Sequence, residues 1–341
     1  MHVTLQDVAR QAGVSTKTVS RVVNNQGEIS ETTRQRVQAA IEQLGYYPNI
    51  LARSLVNQRS NTLAVVAWGI DYYGPSRILV GIEKKSDELG YSLFLNLLAR
   101  PDDSHIDRIL DMLIARRVEG ILWAVPEVGN NRAWIATARL DSLPPVVFVS
   151  MASRPGLTTV SIDNRHGAAQ ATQHLIDQSP RHIGMITGPL TWWEARERQA
   201  GWQAALQKAG LTPAPALVVE GDWSAASGDR AMRLLLDREP AIDAVFVCSD
   251  QMALGALGAA HQAGRKVPQD LIIAGFDNIP ESAFFWPPLT TVYQQLVDAG
   301  GIAVQNLHQV IEGRRKDNQH PQSEATILTP ELVIRESSVQ R

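Results

Sequence analysis

Thr16, Lys17 and Arg21 share one polar edge of a short segment whose other edge is Val19, Val22 and Val23. Lys and Arg donate to guanine O6 and N7, and Thr reaches a base edge or a thymine methyl. Carried by the second helix of a helix-turn-helix, such an edge would read the DNA major groove. A second set lies later in the chain, at the ends of apolar runs: Trp68, Trp123, Ser150, Trp223, Ser249 and Asp277. Arg198 follows Trp192-Trp193, and Gln294 follows Thr290-Thr291-Val292-Tyr293. Aromatic faces pack against the apolar face of a sugar ring or stack on a base, while Asp, Arg, Ser and Gln pair with hydroxyls. Six of the eight tryptophans (68, 123, 192, 193, 223 and 286) fall at such ends. Any one of them suits a core; their clustering suggests a binding rim.

Catalytic chemistry finds less support. No GxSxG, P-loop or HExxH pattern is present. Gly255-Ala256-Leu257-Gly258 lies inside a helical pattern and reads as packing. His166, His174, His182 and His261 are scattered, and Asp163, Asp250 and Asp277 read as hydroxyl acceptors. The only cysteine, Cys248, cannot form an intrachain disulfide, and no Cys/His cluster suggests zinc. We expect no catalytic residue, metal or cofactor.

The elements that must carry these residues fall into two kinds. In the first sixty residues the apolar period is helical. Leu5, Val8, Ala9 and Ala12 mark one face, with Thr4 as N-cap and Asp7 three residues on. Gly13 breaks the pattern, and Ser15 caps a second helix through residues 16–24. A loop follows at Asn24-Asn25-Gln26-Gly27. Ser30 caps a third helix with Val37, Ala40, Ile41 and Leu44 inward and Gly45 as its stop. The same pattern would suit a three-helix bundle with no DNA role.

Beyond residue 60, short apolar runs alternate with amphipathic ones. Strands are predicted at Leu63–Trp68, Ser92–Leu97, Gly120–Ala124, Val146–Ser150, Ile183–Thr187, Ala216–Glu220, Ala244–Cys248 and Leu271–Phe276. Helices are predicted near 75–89, 104–116, 130–140, 164–177, 193–209, 225–237, 250–263 and 297–312. This alternation means parallel sheets covered on both faces. So many units exceed one sheet, and the expected fold is α/β: two Rossmann-like subdomains with a ligand cleft at the strand ends, behind a helix-turn-helix head.

Composition agrees. With 341 residues, 44% of them hydrophobic and 20% charged, the chain has room for two or three domains. The net charge of −3 hides an asymmetry, because residues 1–60 carry seven Lys/Arg against four Asp/Glu. A basic head on an acidic body fits nucleic-acid binding by one part only, although a +3 segment can also be a solvated face. No apolar run reaches the ~18 residues of a membrane helix. The polar start, MHVTLQDVARQ, lacks a signal-peptide core, so we expect the cytoplasm.

VTLQDVARQAGVSTKTVSRVVN, ISETTRQRVQAAIEQLGYYPN and ARSL together resemble the DNA-binding head of the lactose/galactose repressor family of bacterial transcriptional regulators. GPLTWWEARERQAGW, EGDWSAASG, SDQMALGA, GFDNIPES and PPLTTVYQ resemble the effector-binding core of its lactose repressor branch. The resemblance implies that Thr16, Lys17 and Arg21 read operator bases and that Ser15, Thr18, Ser20, Asn24 and Thr33 hold phosphates. It implies a hinge helix over residues 49–57 that inserts Leu55 into the minor groove, with Asn49 at the family's spacing and Ala52 against the duplex. An apolar wedge of this kind unstacks a base step and bends the DNA. In the body it implies effector contacts from Arg198, Asp277, Trp223 and Gln294, and apolar walls from Tyr72, Pro75, Ile78 and Leu296.

Four positions depart from that branch. Ser150 replaces an aspartate, Ser249 an asparagine, Ala124 an asparagine, and Trp68 a small polar residue. Lost hydroxyl partners point to a related glycoside or sugar rather than lactose itself. The implied organisation is a head over 1–48, a hinge over 49–60 and an effector-binding and dimerisation domain over 61–341 of the type I periplasmic-binding-protein kind. Its subdomains are expected at about 61–161 plus 292–322 and about 162–291 plus 323–341. The expected protein is a homodimer on pseudo-palindromic operator DNA, meeting its partner through helices 75–89 and 250–263. The chain shows no leucine heptad tail, which argues against a tetramer-forming coiled coil. The expected function is repression of sugar or glycoside utilisation genes, relieved by a sugar-like inducer. The alternatives are a regulator of this fold with a purine-like co-repressor, and a sugar-binding transport protein, which the head and the missing signal peptide oppose.

Overall fold

The computed structural model describes residues 3–23, 27–47, 59–102, 105–136, 140–317 and 324–339. The chain divides into two units, residues 1–61 and 62–341.

In the first unit, α1 (Leu5–Ala12), α2 (Thr16–Val23) and α3 (Glu31–Leu44) enclose Val8, Val19 and Val37, all fully buried. Their starts and stops follow from local chemistry. Thr4 opens α1 with a capping box: the Asp7 amide donates to Thr4 Oγ1 at 3.3 Å, and the Thr4 amide donates to Asp7 Oδ2 at 3.0 Å. Gly13, at φ 62°, turns the chain toward α2 in the left-handed region that glycine enters freely. Ser15 Oγ accepts from the Thr18 amide at 3.1 Å. Ser30 departs from expectation. It stands at the N-cap position of α3 but makes no bond to a backbone amide, and its hydroxyl pairs with Thr33 Oγ1 at 2.9 Å.

The second unit is built from βα repeats. Its first lobe is a parallel sheet in the order β11-β5-β4-β3-β1-β2, formed by β1 (Thr62–Ala67), β2 (Ser92–Leu97), β3 (Gly120–Ala124), β4 (Val146–Val149), β5 (Thr158–Ile162) and β11 (Ala325–Leu328). One face packs on α4 (Tyr73–Glu88) and α10 (Leu296–Asp317), the other on α5 (Ile106–Ala115). The second lobe is a parallel sheet in the order β7-β6-β8-β9, formed by β6 (Ile183–Thr187), β7 (Val218–Glu220), β8 (Ala244–Val247) and β9 (Ile272–Ala274). It is covered by α6 (Asn164–Asp177), α7 (Trp193–Lys208), α8 (Ala225–Arg238) and α9 (Asp250–Gln262). The apolar runs VVFV, IGMI and AVFV are buried strands, as their composition requires.

The chain crosses between lobes after β5, after β10 (Thr291–Tyr293), and between β11 and β12 (Glu331–Val333). Two expected boundaries move. β11 pairs with β5 from Ala325–Thr159 to Leu328–Ile162, so residues 325–328 belong to the first lobe rather than the second. β10 pairs with β12 in the second lobe, so the second crossing follows Tyr293. Where a helix is expected over 130–140, the described residues form 3-10 turns at Ala133–Ala136 and Leu140–Ser142. Among the described residues no helix is long and apolar enough to cross a membrane.

Candidate functional site

Two sites emerge, one on each unit. On the head, Ser15, Thr16, Lys17 and Arg21 are exposed, and Thr18, Ser20 and Thr33 are half-buried. Thr16 and Lys17 open α2, and Arg21 lies one turn beyond Lys17 on the same face. The buried Val19 and Val22 fix that face outward. A helix whose exposed face bears Thr, Lys and Arg is a surface that can reach base edges and phosphates. Asn24, Asn49, Ala52 and Leu55 lie outside the described residues.

On the body, a cleft opens at the carboxyl ends of the strands of both lobes. Such a position, outside the carboxyl ends of the strands, is where open α/β sheets bind ligands. Ten of the twelve body residues singled out from the sequence line it: Tyr72, Pro75, Ile78, Ser150, Arg198, Trp223, Ser249, Asp277, Gln294 and Leu296.

Arg198 is the polar centre. It projects from the second turn of α7 and is 6% exposed. Its Nε donates to Asn164 Oδ1 at 2.8 Å, its Nη1 donates to the Cys248 carbonyl, and Nη1 lies 3.5 Å from Asp277 Oδ1. The guanidinium also stacks 3.9 Å over the Phe276 ring. Asp277 accepts from Gln294 Nε2 at 2.6 Å. Burial pushes the Asp277 carboxyl up to about 6, against the opposing pull of Arg198. Behind it Asp250, also pushed up by burial, accepts from the Thr291 hydroxyl and from the Ile279 amide. Ser249 caps α9, accepting from the Met252 amide at 3.2 Å, which explains a small hydroxyl residue there.

Aromatic rings lie beside this polar centre, with Trp223 5.5 Å from the Arg198 guanidinium. Tyr72 and Trp192 lie 5.5 Å apart between ring centroids, and Trp192 and Trp223 5.6 Å apart. Trp223 takes φ 72°, Ser150 φ 58° and Asp277 φ 119°. Three cavity residues thus hold a backbone conformation that L-residues rarely adopt, and such strain concentrates at functional sites. Gly188 makes room for the Trp223 indole, since a Cβ there would come within 2.1 Å of the ring. The loop after β3 meets the loop before α7: the Trp193 amide donates to the Glu127 carbonyl at 2.9 Å and the Gly129 amide to Thr191 at 2.8 Å. This short antiparallel clasp joins the two lobes.

Two expected cavity residues stand elsewhere. Trp123 is 1% exposed and packs 4.6 Å from Trp134, on the α5 side of the first sheet. Its neighbour Leu122 faces the other side, so alternation along β3 sends Trp123 away from the cleft. Trp68 forms a second layer, 5.9 Å from Tyr72 and 5.5 Å from Trp192. Conversely, Tyr73, Pro126, Asn164, Glu194 and Gln251 line the cleft without having been assigned to it, and Trp192 and Trp193, counted only among the rim tryptophans, line it too. Asn164, Trp192 and Trp193 carry the strand-end signal in the sequence, whereas Glu194 carries none.

Residues 4–49 match the description "Bacterial regulatory proteins, lacI family", and residues 172–338 match "Periplasmic binding protein-like domain". The chain is 36% identical over 336 residues to the transcriptional repressor PurR of Haemophilus influenzae, covering 98% of each chain. It is 37% identical to the ribose operon repressor of Escherichia coli over 98% of this chain and 99% of that one. To the E. coli lactose operon repressor it is 33% identical over 93% of this chain and 87% of that one. Among solved structures, the Lac repressor dimer bound to operator and the anti-inducer ONPF superposes with a TM-score of 0.89 at 31% identity, covering 100% of both chains. A complex of the regulator CelR with cellobiose gives 0.72 at 32% identity over 98% of this chain and 99% of that one. The chain therefore belongs to the lacI family of bacterial transcriptional repressors, with a helix-turn-helix DNA-binding head and an effector-binding domain of the periplasmic-binding-protein kind.

Proposed function

We propose that this repressor binds operator DNA as a homodimer and lets go when a small sugar or glycoside enters the cleft of its body. The observation that carries the reading is the composition of that cleft, where the aromatic residues Tyr72, Trp192 and Trp223 line the same space as Arg198, Asp277 and Gln294. A sugar ring offers an apolar face to the first and hydroxyls to the second. The lobes close on the ligand, and the ligand shifts the repressor only to the extent that it binds the closed, DNA-releasing state more tightly. In this reading the body binds its ligand without turning it over, and the protein works in the cytoplasm. Dimerisation is supported by apolar side chains left on the surface of the two helices expected to meet a partner. Val80 on α4 is 45% exposed and Leu254 on α9 is 47% exposed.

A purine-like co-repressor is the second reading. Tyr72 and Tyr73 both line the cleft and suit base stacking, and a purine repressor is among the relatives. Tryptophan fluorescence separates the two, because Trp192, Trp193 and Trp223 line the cleft. We expect quenching or enhancement that saturates with a sugar of the pentose, hexose or disaccharide class. Saturation with hypoxanthine or guanine alone, together with tighter operator binding, would replace the sugar reading with the purine one.

A further inference from the structure

Glu194 is the second residue of α7, one turn before Arg198, and it lines the effector cleft. Its Oε2 is shielded from solvent and meets no hydrogen-bond donor. A buried, unpartnered carboxylate oxygen costs free energy, and a fold keeps one where something outside the fold completes it. The surrounding charges do not complete it. Arg198 spends Nε on Asn164 and Nη1 on the Cys248 carbonyl and Asp277. Arg132, buried and outside the cleft lining, gives Nη2 to the Val125 carbonyl and leaves Nε and Nη1 without a partner, and Glu127 beside it pairs with Arg154. Burial, resisted by Arg198 and Arg132, raises the Glu194 carboxyl to about 7, so it is largely ionised at pH 8.

Elsewhere in the cleft, Asp277 is the one other carboxylate among the described lining residues. Ser249 already serves as a helix cap. Ser150 offers one hydroxyl. Two acidic side chains, Glu194 and Asp277, line the cleft against one guanidinium, Arg198, which is already engaged. No other Lys, Arg or His lies among the described lining residues, so a phosphate entering the cleft would meet two carboxylates and a single guanidinium already paired with one of them.

We propose that Glu194 sets the effector class of this repressor: its carboxylate accepts a hydrogen bond from a hydroxyl or ammonium group of the ligand, admitting neutral or aminated sugars and rejecting phosphorylated ones. The proposal rests on the reading of the cleft as an effector site and names the class of ligand it takes. It makes Glu194 a binding group whose cost in the empty protein is offset by the ligand.

The test compares the full chain with Glu194→Gln, which keeps the shape and removes the charge. Thermal unfolding at pH 8 is followed with and without 10 mM cellobiose, ribose, lactose, glucosamine, glucose 6-phosphate or hypoxanthine, roughly the concentration needed for millimolar binders to register. Without ligand, Glu194→Gln unfolds about 2 °C higher, because the unpartnered charge is gone. A neutral or aminated sugar gives the largest rise in the wild type, glucose 6-phosphate gives none, and the affinity for the best sugar drops at least tenfold in Glu194→Gln. A lower melting temperature for ligand-free Glu194→Gln would overturn the proposal, since it would show a structural partner such as Arg132. So would unchanged affinity for the best sugar, or a largest wild-type rise with glucose 6-phosphate. If hypoxanthine alone or no probe raises the wild type, the sugar reading of the cleft fails separately, and the ligand-free comparison still decides whether Glu194 is an unpartnered binding group.

Discussion

Gln294 donates from Nε2 to Oδ1 of Asp277 at 2.6 Å. Gln294 sits just after β10, where the chain crosses between lobes, and Asp277 follows β9 in the second lobe. One hydrogen bond therefore ties a crossing segment to the buried carboxylate of the effector cleft. A ligand hydroxyl that engages Asp277 competes for the oxygen that holds the crossing, which gives ligand occupancy a route to lobe geometry.

Asp277→Asn keeps the volume and loses the charged acceptor. We expect effector affinity to fall by roughly tenfold to a hundredfold, in line with about 1.5–3 kcal/mol for a hydrogen bond to a charged group. Isothermal titration with the active sugar measures it, and an unchanged affinity would remove Asp277 from the contact set.

The same carboxylate predicts a pH dependence. Asp277 titrates near 6 in the fold, above its ordinary 3.8, because burial disfavours the charge more than Arg198 restores it. The folded state thus holds a proton that the unfolded chain has released, so this group's contribution to stability falls as pH rises from about 4 to about 6. A hydroxyl donor favours the ionised form, so effector affinity rises as pH climbs through about 6. Asp277→Asn should flatten that part of the profile in a fluorescence titration run from pH 5 to pH 8.

Gly188→Ala places a methyl where the Trp223 ring now sits. The ring must shift, at a cost of about 1–3 kcal/mol in stability by the usual penalty for overpacking. We expect a shifted tryptophan emission maximum, a lower melting temperature and weaker effector binding. Normal effector affinity would show that the aromatic wall does not need Trp223 in its present place.

On the head, Lys17→Ala should cost about 1–3 kcal/mol in discrimination between operator and unrelated duplex. Leu55→Ala, at a residue outside those described, should likewise weaken operator binding far more than nonspecific binding if it acts as a wedge. Gel-shift titrations on both duplexes read both variants, and equal losses on the two would reduce either residue to a general contact.

Much of this arrangement was legible in the residues, for physical reasons. The helical spacing of Val8, Ala9 and Ala12, of Val19 and Val22, and of Val37 and Ala40 marks the head core, and the fully apolar VVFV, IGMI and AVFV mark doubly buried strands. β11 escaped because ATIL lies at a sheet edge with alternate residues exposed, so its burial leaves little apolar signal. β5 escaped because TTVSI buries hydroxyl side chains on a sheet interior. Trp123 was misplaced by one position of a two-residue alternation, which apolar neighbours on both sides conceal. Glu194 could not be found, because a carboxylate in the first turn of a helix is ordinarily a solvated complement to the helix dipole. Only the meeting of two lobes reveals that it is not.

The most direct measurement follows a fluorescently labelled duplex from the protein's own promoter region by anisotropy, with wild type and Asp277→Asn, while the sugar that binds the cleft is added. We predict that both proteins start bound, that the wild type releases the duplex as the cleft fills, and that Asp277→Asn stays bound at the same sugar concentration. Release of both proteins at equal concentration, or of neither with the wild-type cleft saturated, would contradict control of the DNA-binding head by a ligand held in the body.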